Sequence, residues 1–399
     1  MLFEQIKLKR KLIIEILVYV YVVLLMFGGI ITRLLMRAEG LFKVKSILPE
    51  VTLILIIILA GRDILKKNRE KYLKFYVFVW LYFIAVFILN FLKGAPINKM
   101  LFILRDTIFP LMAGYALIKV DFTKEEKKKI IRRLLYICIL QVVSGFGLGI
   151  IERQKDWSWT SKFYRGYEFY GLDEVSNVKI WHSNGNLRVP SVAGNSVLFA
   201  FYNYISYLVI KHSNSKFKLP LIALCFGNIF ISTTKTVIIV VVIDFIIMLF
   251  IKSKAKIKGI ILIGGLFSLI AIMIALPMYN ENIYFSMGER IVNWATIFKA
   301  VPHWNYLIPL NLFSLGTGTS GALGFVDNAY IYVTMSYGLM GLIIFVTWLI
   351  SFFKNAARKK NYFVLEMISA IIISNFTTNI FQGRAFLSIS VLILFVYID

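Results

Sequence analysis

Apolar segments alternate with short polar ones along the whole chain. A helix that crosses a bilayer needs about 20 mostly apolar residues. Segments close to that length predict twelve spans, which are centred within 12–31, 46–61, 75–92, 100–118, 134–151, 191–210, 219–232, 236–251, 259–277, 327–350, 361–380 and 384–398. We therefore predict an all-α, polytopic integral membrane protein, with one membrane domain over residues 1–399.

The composition agrees with a membrane location. Hydrophobic residues make up 59% of the chain, and the mean hydropathy is +0.76. This balance is too apolar for a water-soluble multidomain protein. The first apolar segment has the basic flank of a signal peptide, but it ends in Phe27-Gly28-Gly29 without a small-residue cleavage site, so we expect it to be retained as a helix.

The distribution of basic residues predicts the orientation. Most of the 45 lysines and arginines fall in alternate connecting segments, and the short segments 62–74 and 119–133 are dense in them. By the positive-inside rule, these segments and both termini are predicted to be cytoplasmic. The net charge of +24 is spread over many helix ends, so it indicates contact with anionic membrane lipids rather than with a nucleic acid. Cys138 and Cys225 lie inside predicted spans, which excludes a disulfide framework.

Two predicted outer loops are much longer than the others. The loop 152–190 is rich in tryptophan and tyrosine, which suits stacking on sugar rings and equally suits anchoring at a lipid headgroup boundary. In the loop 278–326, apolar residues recur every three or four positions, at Ile283, Met287, Ile291, Trp294 and Phe298. That spacing predicts an amphipathic helix lying along the outer membrane face.

Four basic residues are placed where the positive-inside rule does not explain them. Arg188 lies at the outer start of the sixth span. Arg290 borders the apolar stripe of the amphipathic helix. There the Arg290 guanidinium either binds an anionic ligand or extends to lipid headgroups. Arg105 lies beside Asp106 within the fourth span; a local charge pair and a role in holding an anionic substrate are both open. Lys235 follows a polar break between two apolar runs, at the predicted outer surface.

A glycine-rich segment precedes the tenth span. Gly316 and Gly318 belong to a run that formally fits a dinucleotide motif, but no strand precedes it, so a dinucleotide site is excluded. The glycines instead let the backbone approach a neighbour closely, near Asp327, Asn328 and Tyr330. At the N-terminus of the predicted helix, the helix dipole would stabilise Asp327 as an anion. Asp327 is then either a capping residue or a functional group. The sequence has no P-loop and no metal-ligand spacing, so no cofactor and no metal are predicted.

These segments together resemble the O-antigen polymerase and ligase superfamily, and among its members the Wzy-type polysaccharide polymerases most. The resemblance covers about residues 100–398 and is carried by Arg188-Val189-Pro190 with Gly194-Asn195, Ser232-Thr233-Thr234-Lys235, Arg290 with Trp294, Leu315-Gly316-x-Gly318, Asp327-Asn328-x-Tyr330 and Tyr337-Gly338-Leu339-x-Gly341. It implies a GT-C-like membrane fold in the cytoplasmic membrane of a bacterium, with an extracytoplasmic active site.

The resemblance also implies a reaction. A glycan would pass from an undecaprenyl diphosphate donor to a sugar hydroxyl of a second lipid-linked repeat unit, without nucleotide or metal. Arg188 and Arg290 would stabilise charge on the leaving diphosphate, with Lys235 and Arg105 assisting, and Asp327 would be the general base. Asn328, Tyr330, Gly316 and Gly318 are the further candidates for substrate contact. A flippase and a chain-length regulator are the implied protein partners.

Two departures and two alternatives accompany this resemblance. Related ligases carry a histidine where this chain has Asp327, which favours polymerase over ligase. Some members have a glycine eleven positions after the arginine in each outer loop, a pattern that neither Arg188 nor Arg290 shows.

The alternatives are a ligase that transfers the glycan to another acceptor, and a flippase or transporter for the lipid-linked repeat. The sequence of a transporter is expected to contain two similar halves and to place cations along a central path across the membrane. This sequence shows no internal repeat.

Overall fold

The protein is almost entirely α-helical. The computed structural model describes residues 2–35, 39–66, 73–154, 182–183, 186–253, 291–299, 306–307, 309, 328–377 and 386–397. The helices are α1 Leu2–Met26, α2 Gly28–Leu35, α3 Glu39–Lys66, α4 Leu73–Leu92, α5 Ile97–Lys119, α6 Lys124–Gln154, α7 Ser196–Lys211, α8 Lys218–Ile231, α9 Lys235–Lys252, α10 over 291–299, α11 Ala329–Arg358, α12 Tyr362–Thr377 and α13 Phe386–Tyr397. Two short strands, β1 His182–Ser183 and β2 Asn186–Leu187, pair antiparallel.

Every predicted span coincides with a helix, apart from 259–277, which lies outside the described residues. Two helices differ in detail from the predicted ranges. The first span is interrupted by a turn at Phe27, and the sixth begins at Ser196 rather than at 191, after the separate 3₁₀ turn Ser191–Ala193. Within the described residues, α6 and α11 are long and apolar enough to cross a membrane by length and composition. The structure thus confirms an all-α protein with membrane-compatible helices.

Large apolar side chains cover much of the protein surface. Ile58, Leu81 and Phe245 are 63%, 60% and 64% exposed, and many others on α1, α3, α4 and α9 resemble them. Monomeric soluble proteins rarely expose apolar side chains in large groups. In contrast, α7 is buried on nearly all sides, which is the position of a central helix surrounded by others.

The helices give the bundle two distinct ends. At the first, the Arg188 end, Ser191 N–H donates to Glu152 Oε2 over 2.9 Å, and Thr234 Oγ1 donates to Ser196 O over 3.3 Å. These bonds bring the end of α6 next to the beginnings of α7 and α9. At the opposite end, the His212 end, Asn361 Nδ2 donates to Tyr397 O over 2.5 Å, and α7 ends beside the first turns of α12.

An N-terminal capping box starts α6 at the His212 end. Thr123 Oγ1 accepts from Glu126 N–H over 3.2 Å, and Thr123 N–H donates to Glu126 Oε2 over 2.7 Å. The same carboxylate lies 2.9 Å from Lys11 Nζ of α1. Burial works against ionisation of Glu126, but the hydrogen bonds from Lys11 and Thr123 outweigh it and hold the pKa of Glu126 below its usual value. This pair ties the start of α6 to α1.

A buried carboxylate joins α12 to α7 at the same end. The Glu366 side chain is fully buried, with Oε1 2.5 Å from Lys211 Nζ and Oε2 2.8 Å from His212 Nε2. Asp244 of α9 is also buried, and it interacts with Tyr204, Lys211 and Glu366. Asp244 thus lies near the Lys211–Glu366 pair and belongs to the same buried polar cluster.

We predict that Glu366→Gln destabilises the protein by about 2 kcal/mol or more, because Lys211 then loses its carboxylate partner in a partly desolvated site. The measurement is thermal unfolding of the purified protein in detergent micelles. Glu125→Gln is the matched control, since the pair of Glu125 with Lys128 is exposed and should contribute less than about 1 kcal/mol. Equal changes in the two variants would contradict a structural role for the buried pair.

Candidate functional site

The segment that follows Arg188 is fixed to the end of α6. We call residues 188–195 the Arg188 elbow. Ser191 N–H donates to Glu152 Oε2 over 2.9 Å, and Ser191 Oγ donates to Gly145 O over 2.7 Å. Glu152 and Ser191 are fully buried, whereas Arg188 is partly exposed. The guanidinium of Arg188 therefore extends from a backbone that is held in place by buried hydrogen bonds.

Two glycines let α2 pack directly on the elbow. Gly194 has φ +74°, and a Cβ atom added to Gly29 would lie 2.3 Å from Gly194 N. Such a distance is shorter than any real Cβ contact, so only glycine fits at position 29. Ser191 also has a positive φ, at 45°, a conformation that costs a non-glycine residue free energy. The elbow is therefore a strained segment held by contacts on two sides.

The polar break before Lys235 is the turn that the sequence predicts. Ser232–Thr234 connects α8 to α9, Thr233 has φ +54°, and Lys235 is the first residue of α9 with an exposed side chain. Thr234 Oγ1 donates to Ser196 O over 3.3 Å, directly after the elbow. The structure thus brings together the segments that carry Arg188 and Lys235, which are 47 positions apart in the sequence.

The N-terminus of α11 is capped by Asn328. Its Oδ1 accepts from Tyr330 N–H over 2.9 Å and from Ile331 N–H over 3.1 Å. The alternative in which Asp327 is the capping residue is wrong, because the cap is one position later. Tyr330 OH donates to Ile372 O of α12 over 3.1 Å, so this candidate for substrate contact also ties α11 to α12. Since Ile372 lies in the second half of α12, α11 begins toward the Arg188 end.

Arg105 forms an ion pair that the sequence did not reveal. Its Nη1 lies 3.3 Å from Glu50 Oε1 of α3, and both side chains are mostly buried. The pair spans 55 positions, so no local pattern predicts it. The side chain of Asp106, the partner considered from the sequence, lies outside the described residues.

Several predicted site residues lie outside the described part of the chain, namely Arg290, Gly316, Gly318 and Asp327. The described portion of the predicted amphipathic helix, α10, is helical as expected. Ile291 and Phe298 of its apolar stripe are 53% and 39% exposed, whereas Ile297 is buried. The protein thus contacts α10 through Ile297 and leaves stripe residues on the surface.

The Arg188 end has the electrostatics of an anion site. Helices α7, α9 and α11 all begin there, and each helix dipole places partial positive charge at this end. Asn195 and Asn328 cap the first amides of α7 and α11. Arg188 and Lys235 add full charges beside the N-termini of α7 and α9. Among the described residues, no group of three or more His, Cys, Asp or Glu side chains is arranged to hold a metal. The described part of this end can therefore stabilise an anion through cationic side chains and helix termini.

Glu152 and Gly29 are the contributors that sequence reasoning missed. Both act by fixing the elbow rather than by presenting a charge, so neither stands out in a search for catalytic residue types. The double glycine of Phe27-Gly28-Gly29 was visible, but its contact with Gly194 requires the fold. Comparison with known proteins adds no identification: no protein-family model matches the chain, and no curated protein matches it.

We predict that Gly29→Ala destabilises the protein and displaces the elbow, because the new Cβ would overlap the backbone of Gly194. Overpacking of this kind costs about 1 to 3 kcal/mol, which thermal unfolding in detergent would detect. Gly61→Ala is the matched control, since a Cβ there meets no atom within 4 Å. A Gly29→Ala protein that is as stable as Gly61→Ala would refute this packing.

Proposed function

We propose that this chain is a polysaccharide polymerase that acts on undecaprenyl-diphosphate-linked repeat units. In this proposal it has about twelve membrane spans and a GT-C-like arrangement. It lies in the cytoplasmic membrane of a bacterium with both termini in the cytoplasm. Reaction takes place at the outer face, where the Arg188 end meets the lipid headgroups. The lipid diphosphate is the leaving group, so the transfer uses neither a nucleotide nor a metal.

The observation that carries the proposal is the hydrogen bond from Thr234 Oγ1 to Ser196 O. This bond connects the residue directly after the Arg188 elbow to the turn before Lys235. Both segments belong to the series of motifs on which the resemblance rests. Both segments carry a cationic residue at the same end of the bundle, which binding of one shared anionic substrate requires. Ser191 and Thr233, one in each segment, have positive φ angles, as does Lys360 at the His212 end.

The orientation follows from the charges at the two ends. The His212 end carries dense basic segments, such as Lys124 to Arg133 at the start of α6 and Arg358 to Lys360 after α11. Among the described residues, the Arg188 end carries fewer basic residues than the His212 end, and they include Arg153, Arg188 and Lys235. The positive-inside rule assigns the basic end to the cytoplasm. In this orientation Arg188 and Lys235 lie at the outer face, on the side where the lipid diphosphate is proposed to react.

The proposed chemistry is one displacement at an anomeric carbon. An acceptor hydroxyl oxygen attacks that carbon, the bond to the diphosphate oxygen breaks, and its electron pair stays on the departing lipid diphosphate. Arg188 and Arg290 stabilise this charge, with Lys235 and Arg105 assisting. Asp327 accepts the hydroxyl proton as general base. Asn328, Tyr330, Gly316 and Gly318 position the sugars.

In the cell, the proposed polymerase depends on other membrane components. Its substrates are long-chain lipids that reach it only within the bilayer, so membrane lipids surround the site. A flippase that delivers the repeat units to the outer face is one partner that the resemblance implies. A chain-length regulator is the further partner that the resemblance implies.

The test is to incubate purified protein with lipid-diphosphate-linked repeat units, with and without a chelator, and to separate the products by length on a gel. We expect a ladder of products that the chelator does not reduce. Asp327→Asn should abolish the ladder, because an amide cannot accept the hydroxyl proton. A correctly folded protein that forms no ladder from a verified substrate would refute the polymerase proposal.

Arg188→Gln and Arg153→Gln provide a matched pair for the same assay. Both arginines lie near the Arg188 end, but Arg153 is an exposed residue in the last turn of α6, outside the elbow. Loss of one oxyanion-stabilising donor costs about 100-fold or more in rate. We expect that loss for Arg188→Gln alone. If the two variants formed equal ladders, the result would contradict a role for Arg188 in the reaction.

A further inference from the structure

Two buried carboxylates interact with one lysine at the His212 end. Glu366 Oε1 lies 2.5 Å from Lys211 Nζ, and Glu366 Oε2 lies 2.8 Å from His212 Nε2. Asp244 of α9 interacts with both members of the Lys211–Glu366 pair. The Glu366 side chain is fully buried, and Asp244 is 2% exposed. Both carboxylates therefore lie where water is excluded.

Glu366 takes the hydrogen bonds of both cationic side chains, and Asp244 is left with few donors. Among the described residues, no atom forms a hydrogen bond with Asp244 Oδ1. The Tyr204 hydroxyl of α7 faces the same carboxyl group, and it also lies 3.5 Å from Glu366 O. An ionised carboxylate can accept about four hydrogen bonds. Its charged form is therefore costly in a buried site with so few donors.

The helices around Asp244 supply few other charges. Asp244 lies on α9, which packs against α7, α8 and α12. The ionisable side chains that α7 and α12 present to the cluster are Tyr204, Tyr207, Lys211, His212 and Glu366. α8 adds Lys218, which donates to Ser213 O over 3.4 Å, and the buried Cys225. The lysines of α9 itself are its first and last residues. Among the described residues, Lys211 is thus the lysine that interacts with both carboxylates.

The charges of this cluster cancel only when one further proton is present. With both carboxylates ionised, Lys211 protonated and His212 neutral, two negative charges meet one positive charge. An unbalanced charge in a buried site is strongly destabilising, and a proton on Asp244 or on His212 restores the balance. His212 does not require that proton, because its side chain is 24% exposed and a neutral imidazole can donate one hydrogen bond to Glu366. Asp244, buried and short of donors, does require it.

We propose that Asp244 is a proton-binding site, filled from the aqueous phase at the His212 end. The bound proton makes Asp244 neutral, so that the charge of Lys211 is balanced by Glu366 alone. Lys211 and His212 have side chains that are 28% and 24% exposed, and they connect the buried carboxyl groups to that aqueous phase. With the proton bound, α9 packs against α7 and α12 without an unbalanced charge. The inference does not depend on the proposed polymerase reaction.

Stability is then expected to fall as the pH rises. The folded protein holds a proton that an ordinary aspartate in the unfolded chain has lost above about pH 4. Because the folded state binds more protons, rising pH favours unfolding, by up to about tenfold in the equilibrium constant per pH unit for one proton. We expect the apparent melting temperature in detergent to fall between about pH 5 and pH 9, where an ordinary aspartate is ionised throughout.

Two variants separate the carboxyl group from the imidazole in this measurement. Asp244→Asn should weaken the decline of the melting temperature with pH, because the amide is neutral at every pH. His212→Gln should retain most of the decline, because Asp244 still binds its proton. If His212→Gln abolished the decline, the proton would belong to the imidazole, and the proposal would be wrong.

The direct test is infrared spectroscopy of the full-length protein in nanodiscs, with isotopically labelled aspartate carboxyl groups. A protonated carboxyl group absorbs at a higher frequency than a carboxylate, and the label identifies aspartate. At about pH 6, where an exposed aspartate is ionised, we expect a labelled band of a protonated carboxyl group. Asp244→Asn should remove this band, whereas Asp121→Asn, the same change at an exposed position, should keep it. Absence of the band from the wild type, or its persistence in Asp244→Asn, would overturn the proposal.

Discussion

Polar groups inside this apolar bundle must find partners within the chain, and this constraint governs the arrangement of the helices. Water cannot satisfy them in a hydrocarbon environment, where each unpaired group costs free energy. Glu366 meets Lys211 and His212 for this reason, and Glu152 accepts the amide of Ser191. Each of these contacts joins helices that are distant in sequence. The hydrogen bonds thus determine which helix ends become neighbours.

The two ends that result have different chemistry. At the His212 end, carboxylates accompany the cations: Glu126 meets Lys11, and Glu366 meets Lys211. At the Arg188 end, α7 and α9 begin beside Arg188 and Lys235, α11 begins toward the same end, and the buried carboxylate of Glu152 accepts the amide of Ser191. The cationic side chains and helix N-termini of this end suit a ligand that carries negative charge. The asymmetry connects the fold to the proposed transfer from a lipid diphosphate.

The sequence predicted the elements that depend on local patterns. Apolar length identified the helices, and the polar break before Lys235 identified the turn between α8 and α9. It failed where a contact depends on the fold. The partner of Arg105 is Glu50, which is 55 positions away, and the role of Gly29 depends on its approach to Gly194. The cap of α11 was misplaced by one position because Asp327 and Asn328 are both good capping residues. The proposed base and second arginine, Asp327 and Arg290, lie outside the described residues and stay predictions.

The central claim is that the Arg188 end faces outward, and cysteine labelling in intact cells tests it most directly. Lys235→Cys marks the Arg188 end and Lys216→Cys marks the turn between α7 and α8 at the opposite end, and both positions are exposed. The native thiols of Cys138 and Cys225 are buried. We predict that a membrane-impermeant maleimide labels Lys235→Cys in intact cells, and labels Lys216→Cys only after permeabilisation. The reverse pattern would place the proposed site in the cytoplasm and contradict the account.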